Sequence, residues 1–209
     1  AARDARPAST HCETRPAAAP RPGENGDMMQ NADFGPGADL SDGDLAGVDL
    51  TRRDLGGANF HGSDLEGAIL AGANLAGARF GSARLTDADL SRSNLTGAVL
   101  QGADLADAYL HGANLQRADL DDAMAPRTLA PGAILRHASL RGADLRDANL
   151  QMTDLRDADL ADALLNDAHL DGARLTGAVL RGADMTGARL SDANLENAAM
   201  RQATLENAR

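Results

Sequence analysis

Cys12 is the only cysteine in this 209-residue chain, and His11 stands next to it. A thiol beside an imidazole could act as an activated nucleophile, or the two could begin a metal site. Either role needs further groups held at fixed distances, and nothing nearby supplies them. The pair lies in AARDARPASTHCETRPAAAPRPGENGDMMQ, residues 1–30, a stretch with four prolines. Such a segment cannot bury enough apolar surface to offset the entropy of ordering its backbone. Cys12 is therefore expected to be a solvent-exposed bystander, and residues 1–30 a flexible or tethering arm. A single cysteine excludes an internal disulfide and a cysteine metal site. Most glycines are the second residue after a leucine, which suits a tight corner, and no phosphate-binding glycine fingerprint opens a helix.

The bulk composition narrows the classes further. Aromatic residues are 2% of the chain, so an aromatic core is not available. The formal charge is −11, and all 20 basic residues are arginine. An acidic surface repels phosphates and argues against direct nucleic-acid binding. No apolar run approaches a membrane span in length. The chain opens at Ala1 without an initiator methionine. That fits a mature exported protein and equally a trimmed one; the Ala/Pro-rich start points to export over the cytoplasm.

The positioning scaffold is legible from residue 38 onward. GADLADAYLHGANLQRADL at 102–120 shows the beat, a small residue, a polar one, then leucine, every five positions. Of the 34 slots from 40 to 205, 28 are leucine, two are Phe (Phe60, Phe80), two are Met (Met185, Met200), and only Ala125 and Ala130 depart. Two residues before each slot stands, overwhelmingly, alanine. Period five fits neither a helix nor a flat strand. It requires a backbone that turns a corner in every unit, with Leu and Ala inward and three positions facing water.

Units such as ADLAD, ANLQR, ADLSR and ANLAG resemble the A(D/N)LXX repeat of the pentapeptide-repeat proteins, over about residues 38–209. The resemblance implies an all-β fold, a right-handed quadrilateral parallel β-helix with four units per coil. Residues 31–37 are then a lead-in cap, with Met28, Met29 and Phe34 placed to plug the first coil. Phe60 and Phe80 would stack, and Asn74, Asn94 and Asn114 would form an amide ladder. His61, His111, His137 and His169 fall at different phases of such a coil, so no metal-binding column forms and no cofactor is expected. The beat falters at DDAMAPRTLAPGAIL, where Pro126 and Pro131 remove two donors. A bulge or kink is expected at 121–134, with Met124 and Leu129 swung inward to refill the core.

Sorting outward residues by side of the implied coil gives two candidate surfaces. The side through Leu45, Leu65 and Leu85 carries Asp44, Asp64, Glu66, Asp87, Asp104, Asp107, Asp144, Asp147, Asp167, Asp184 and Glu206 against Arg84, Arg127 and Arg146, a net of −8. Some members of the family mimic DNA, binding a topoisomerase and protecting it from quinolone drugs, and this side is the place for such a role. At roughly one charge per 5 Å of rod, however, it is much sparser than duplex DNA. The side through Leu50, Leu70 and Leu90 instead sets Ile69, Tyr109, Leu129 and Met152 outward, where the pattern prefers Asp or Asn. Outward apolar residues on a polar wall suggest a contact surface. The expected function is a non-enzymatic structural or protein-interaction rod whose protein partner the sequence does not name. An open end also suggests an end-to-end homodimer.

Overall fold

The computed structural model describes residues 34–209; the arm at 1–30, Cys12 and the two methionines Met28 and Met29 lie outside the described residues. From Asp39 to Thr204 the backbone is a continuous ladder of isolated parallel bridges, each joining residue i to residue i+20. Every five-residue unit contributes one bridging residue and one two-residue corner, so four units complete a coil. No side is long enough for an extended strand, because the chain turns again after three residues.

The reason for the five-residue unit is visible in its five N–H groups, all of which need a partner. In Asn94–Ala98, Asn94 N–H donates to Ala73 O of the coil before (2.9 Å). Leu95 and Gly97 donate to Asn114 O and Gln116 O of the coil after (2.7 and 2.9 Å). Ala98 donates back to Leu95 O (2.9 Å), closing a four-residue turn. That leaves Thr96 N–H at the first corner position, and the Asn94 side chain accepts it at 3.3 Å. Asp and Asn recur before each leucine for this reason: they cap the one donor the ladder does not use. The same bond runs from Ser91 to Asp89, Ala106 to Asp104 and Glu196 to Asn194, among others.

The second corner residue has positive φ throughout, between 53° and 72°, as a type II turn requires. Sixteen of these positions are glycine and nineteen are not, so many corners carry a left-handed L-residue. Met152 (φ 58°) is the one least suited, being unbranched, apolar and 70% exposed. Its side chain lies over Gly172, where an added Cβ would meet Sδ at 2.5 Å. Met152→Gly is expected to raise stability by about 0.5–1 kcal/mol, relief of left-handed strain exceeding the extra freedom of the unfolded chain. A urea titration checks this, and a loss of stability would contradict the strain argument.

The interior is a single dry column. The inward, every-fifth-position leucines from 55 to 105 and from 155 to 180 are 0% exposed, as are most alanines two positions before them. Phe60 and Phe80 stack one coil apart, centroids 4.8 Å and planes 3° from parallel, the spacing of neighbouring strands. Ser63, Ser93 and Thr153 occupy alanine positions, and each hydroxyl donates to the carbonyl three residues back at 2.7 Å. These buried polar groups are thus satisfied locally.

The bulge expected at 121–134 is not there. Bridges 104–124, 109–129, 114–134 and 119–139 pass through it in unbroken register. Pro126 and Pro131 each sit at the first corner position, where the missing N–H costs no ladder bond, and their carbonyls still accept from Asp107 and Gly112 at 3.1 Å. Proline also suits this turn position intrinsically. Nor do Met124 and Leu129 turn inward: Met124 is 49% exposed and Leu129 half-buried. What falters is the core. A void of about 20 Å³, lined by Ala125, Ala130, Thr128 and leucines from Leu105 to Leu155, replaces the two absent leucine side chains. Thr128 hydroxyl turns to Leu105 O at 2.7 Å, leaving only its apolar part to the void.

Candidate protein-binding face

The ladder sorts the outer surface into four walls. On the wall of Asp49, the bridging residues run Asp49, Ile69, Asp89, Tyr109, Leu129, Asn149, His169 and Arg189. This tyrosine wall brings Tyr109 and Leu129 together as bridge partners. Ile69 is in the same column but separated from Tyr109 by Asp89, which caps Ser91 N–H at 2.9 Å. Met152 is at a corner beyond Asn149, at the edge of the wall. The Tyr109 ring lies 6.4 Å from that of His111 at the next corner. Pro126 and Pro131 stand at the corners on either side of Leu129, with the exposed Arg127 next to Pro126.

Capping explains part of that pattern. Leu129 precedes Ala130–Pro131, and Met124 precedes Ala125–Pro126, so neither has a donor to cap. Both positions are released from Asp or Asn. Tyr109 has no such excuse, since His111 keeps its N–H. Three outward apolar residues escaped the sequence reading, Val99 (37% exposed), Leu164 (38%) and the half-buried Val179, although all occupy capping positions where an apolar side chain is itself the signal.

On the acidic wall, Asp64, Asp104, Asp144 and Asp184 cap first-corner N–H groups at 3.0–3.2 Å, and Asp44 does so at 3.4 Å. Asp87, Asp107, Asp147 and Asp167 are second-corner residues with φ near 58°. All three arginines of this wall are engaged with its acids. Arg84 bridges Asp64 and Glu66, Arg127 forks onto Asp107 at 2.6 and 2.9 Å, and Arg146 forks onto Asp144 at 2.5 and 2.8 Å. Half-exposed pairs of this kind contribute little to stability. They do reduce the charge the wall offers a partner.

The caps have an acid-dependent consequence. Hydrogen bonds from Arg146 lower the Asp144 carboxyl below the ordinary 3.8, those from Arg156 lower Asp154, and those from Thr51 lower Asp49. A carboxyl with a depressed folded-state pKa stabilises the fold above its unfolded value and loses that contribution as pH falls through the folded value. The rod is therefore expected to hold its full stability down to about pH 4 and to lose it progressively below that. Denaturation midpoints measured from pH 7 to pH 2 test this; a midpoint that rises on acidification would be the wrong sign.

The histidines do not gather on the walls. His61 and His111 are first-corner residues, His137 a second-corner residue and His169 a bridging residue, on separate columns. Among the described residues no three His, Cys, Asp or Glu side chains are grouped to hold a metal ion. A shallow depression of about 670 Å³ passes Asn59, Arg79 and Val99 and the corners at Asp42, His61 and Ser82, with mixed lining. Of the amide ladder expected from Asn74, Asn94 and Asn114, the bonds run from Asn94 to Asn74 (3.0 Å) and on to the Asp54 carboxylate (2.7 Å), while Asn114 does not join and accepts instead from Gln116 N–H at 3.1 Å.

The sequence model of the Pentapeptide repeats family matches in 8 copies, over residues 36–72, 54–92, 88–123, 132–162, 158–197 and 188–209. This chain belongs to the pentapeptide-repeat family. The gap in the match at 124–131 is the segment where Ala125 and Ala130 replace leucine. Among solved structures, the chain is 31% identical to HetL, a pentapeptide repeat protein involved in heterocyst differentiation regulation in the cyanobacterium Nostoc, covering 87% of this chain and 90% of that one with a TM-score of 0.37. It is 33% identical to a pentapeptide repeat protein of the Arabidopsis thaliana thylakoid lumen, over 46% of this chain and 71% of that one, TM-score 0.38. It is 22% identical to QnrB1, a plasmid-mediated fluoroquinolone resistance protein, over 83% of each chain, TM-score 0.36. No curated protein matches. Among the described residues of this pentapeptide-repeat protein, no helix is long and apolar enough to cross a membrane.

Proposed function

We propose that this pentapeptide-repeat protein is a non-catalytic rod, a right-handed quadrilateral β-helix, that binds a protein partner through the tyrosine wall and serves as a scaffold, spacer or accessory subunit. The observation that carries the reading is the Tyr109–Leu129 bridge pair, a large aromatic and a branched aliphatic side chain side by side, the tyrosine at a position whose pattern calls for a capping Asp or Asn. Tyrosine on a rigid surface supplies contact area at small entropic cost. Ile69 and Met152 extend the same wall in both directions. The acidic wall fits a partner less well, because five of its aspartates cap corners and its arginines are paired within the wall. The arm at 1–30 tethers the rod. In the same reading two copies of the chain pair end to end; light scattering that finds only monomer at high concentration would remove that element.

Tyr109→Asp is the test of the wall. The substitution removes the ring but installs a residue able to cap His111 N–H, so thermal stability is expected to hold or rise slightly. Capture of a partner from the native source, compared between the two forms, is expected to fall by about tenfold or more, as for an anchor residue. Undiminished capture by the Asp variant would rule the wall out.

A further inference from the structure

Beside Leu129 the apolar surface of the rod runs around the coil and is interrupted along it. On the tyrosine wall the bridges set Tyr109 and Leu129 between Asp89 and Asn149, and on the next wall they set Ile134 between Asn114 and Asp154. A segment lying along either wall therefore loses apolar contact within about two coils. From Leu129 to Ile134 no charged side chain intervenes. Between them stand the inward Ala130 and Ala133, Pro131 at the first corner and Gly132 at the second, where an added Cβ would meet nothing within 4 Å. The corner one coil earlier also has glycine second, at Gly112, so Tyr109 shares this low edge. Ile134 is 38% exposed and has no acceptor to offer Arg136 N–H. Like Tyr109, it stands where a capping Asp or Asn is called for.

Past Ile134 the surface becomes basic. Arg136 is half-buried at the first corner, and its Nε–H is buried without an acceptor. Arg117 stands at the second corner of the coil before. Neither arginine has an ion-pair partner among the described residues. The acids next to them are already matched: Asp154 takes the fork of Arg156, and Asp157 lies 3.9 Å from His137. A partly buried guanidinium without a counter-charge is costly, and a carboxylate forks onto one in two parallel hydrogen bonds. We propose that this edge docks an extended protein segment crossing the rod, with apolar side chains on Leu129 and Ile134 and a carboxylate on Arg136 and Arg117. The site rests on the reading that the tyrosine wall binds a protein, and adds to it the direction of the bound segment and its chemistry.

The probe is a phage-displayed library of random dodecapeptides, selected on the full chain. Recovered peptides are expected to share large apolar residues and an Asp or Glu, and the strongest is synthesised with a fluorophore and titrated. On the parent chain, changing the peptide's acidic residue to Lys should weaken binding by about tenfold or more. Arg136→Glu should cost the original peptide a similar factor and restore binding of the Lys peptide. Ile134→Asn, which supplies a cap for Arg136 N–H, should weaken the original peptide by about tenfold with the fold intact. Selection that yields no peptide, or a peptide whose binding ignores either Ile134→Asn or Arg136→Glu, overturns the proposal. If Arg136→Glu fails to fold, the Lys peptide on the parent chain decides, and unchanged affinity overturns the proposal. Tyr109→Asp separates the two readings. A peptide weakened by Tyr109→Asp but by neither other variant leaves the tyrosine wall standing and removes the crossing. One weakened by Ile134→Asn and Arg136→Glu alone supports the edge and counts against the tyrosine wall.

Discussion

Phe80→Ala is expected to lower the stability of the rod by about 3–5 kcal/mol, the range for deleting a fully buried aromatic side chain. Three features put this site at the severe end. Phe80 is 0% exposed, its ring is stacked on Phe60 at 4.8 Å, and the column around it is closed by backbone ladders on four sides. The walls cannot collapse to fill the hole without breaking inter-coil hydrogen bonds such as Phe80 N–H to Val99 O and Phe60 N–H to Arg79 O. Because a solenoid's stability is a sum of neighbouring terms, the damage should be felt mainly between about coils 40–60 and 80–100. Urea unfolding gives the total and hydrogen exchange gives the location. A cost below about 1 kcal/mol would mean that the ring is not enclosed as described.

The second large effect has the opposite sign. Ala125→Leu together with Ala130→Leu should raise stability by about 1–3 kcal/mol, less than two full leucine burials because the void of about 20 Å³ must widen to admit them. Leucines bordering the void, Leu110, Leu135 and Leu145, retain 4% exposure each, against 0% for leucines from 55 to 105, which marks where the column is underfilled. The same chemical change at Ala78, whose side chain already meets a full column, should destabilise by about 1–3 kcal/mol through overpacking. Opposite signs for one substitution type separate an underfilled site from a filled one. If Ala125→Leu with Ala130→Leu destabilised as Ala78→Leu does, the void would not be available to side chains.

The period-five leucines and the alanines two before them gave the inward set directly, because burial leaves a compositional trace at every unit. The stack of Phe60 on Phe80 also followed once the coil was taken to hold twenty residues. That number was not in the periodicity; the bridges from i to i+20 supply it. Pro126 and Pro131 misled, because a missing donor matters only where the N–H is used, and the first corner position does not use it. The role of Asp and Asn was hidden for a related reason. As charges they looked like a surface property, yet Asp104 and Asn94 act alike as acceptors for the N–H two residues on. Charge counting by wall therefore overstated what Asp64 or Asp144 could offer a partner. On the tyrosine wall the twenty-residue spacing placed Ile69, Tyr109 and Leu129 in one column, as the bridges do, but the same spacing puts Asp89 between Ile69 and Tyr109, and that interruption was passed over.

The four-walled coil depends on which carbonyl each inward leucine addresses. Leu90 N–H donates to Tyr109 O at 2.7 Å, Leu95 N–H to Asn114 O at 2.7 Å and Leu160 N–H to Val179 O at 2.7 Å, always nineteen residues ahead. Through-hydrogen-bond scalar couplings between amide nitrogen and carbonyl carbon, recorded by NMR on labelled protein, read these pairs individually. Couplings from Leu90, Leu95 and Leu160 to Tyr109, Asn114 and Val179 are the predicted result. Couplings to carbonyls four residues back, as in a helix, or to any other partner, would contradict the four-walled coil and every surface assigned from it.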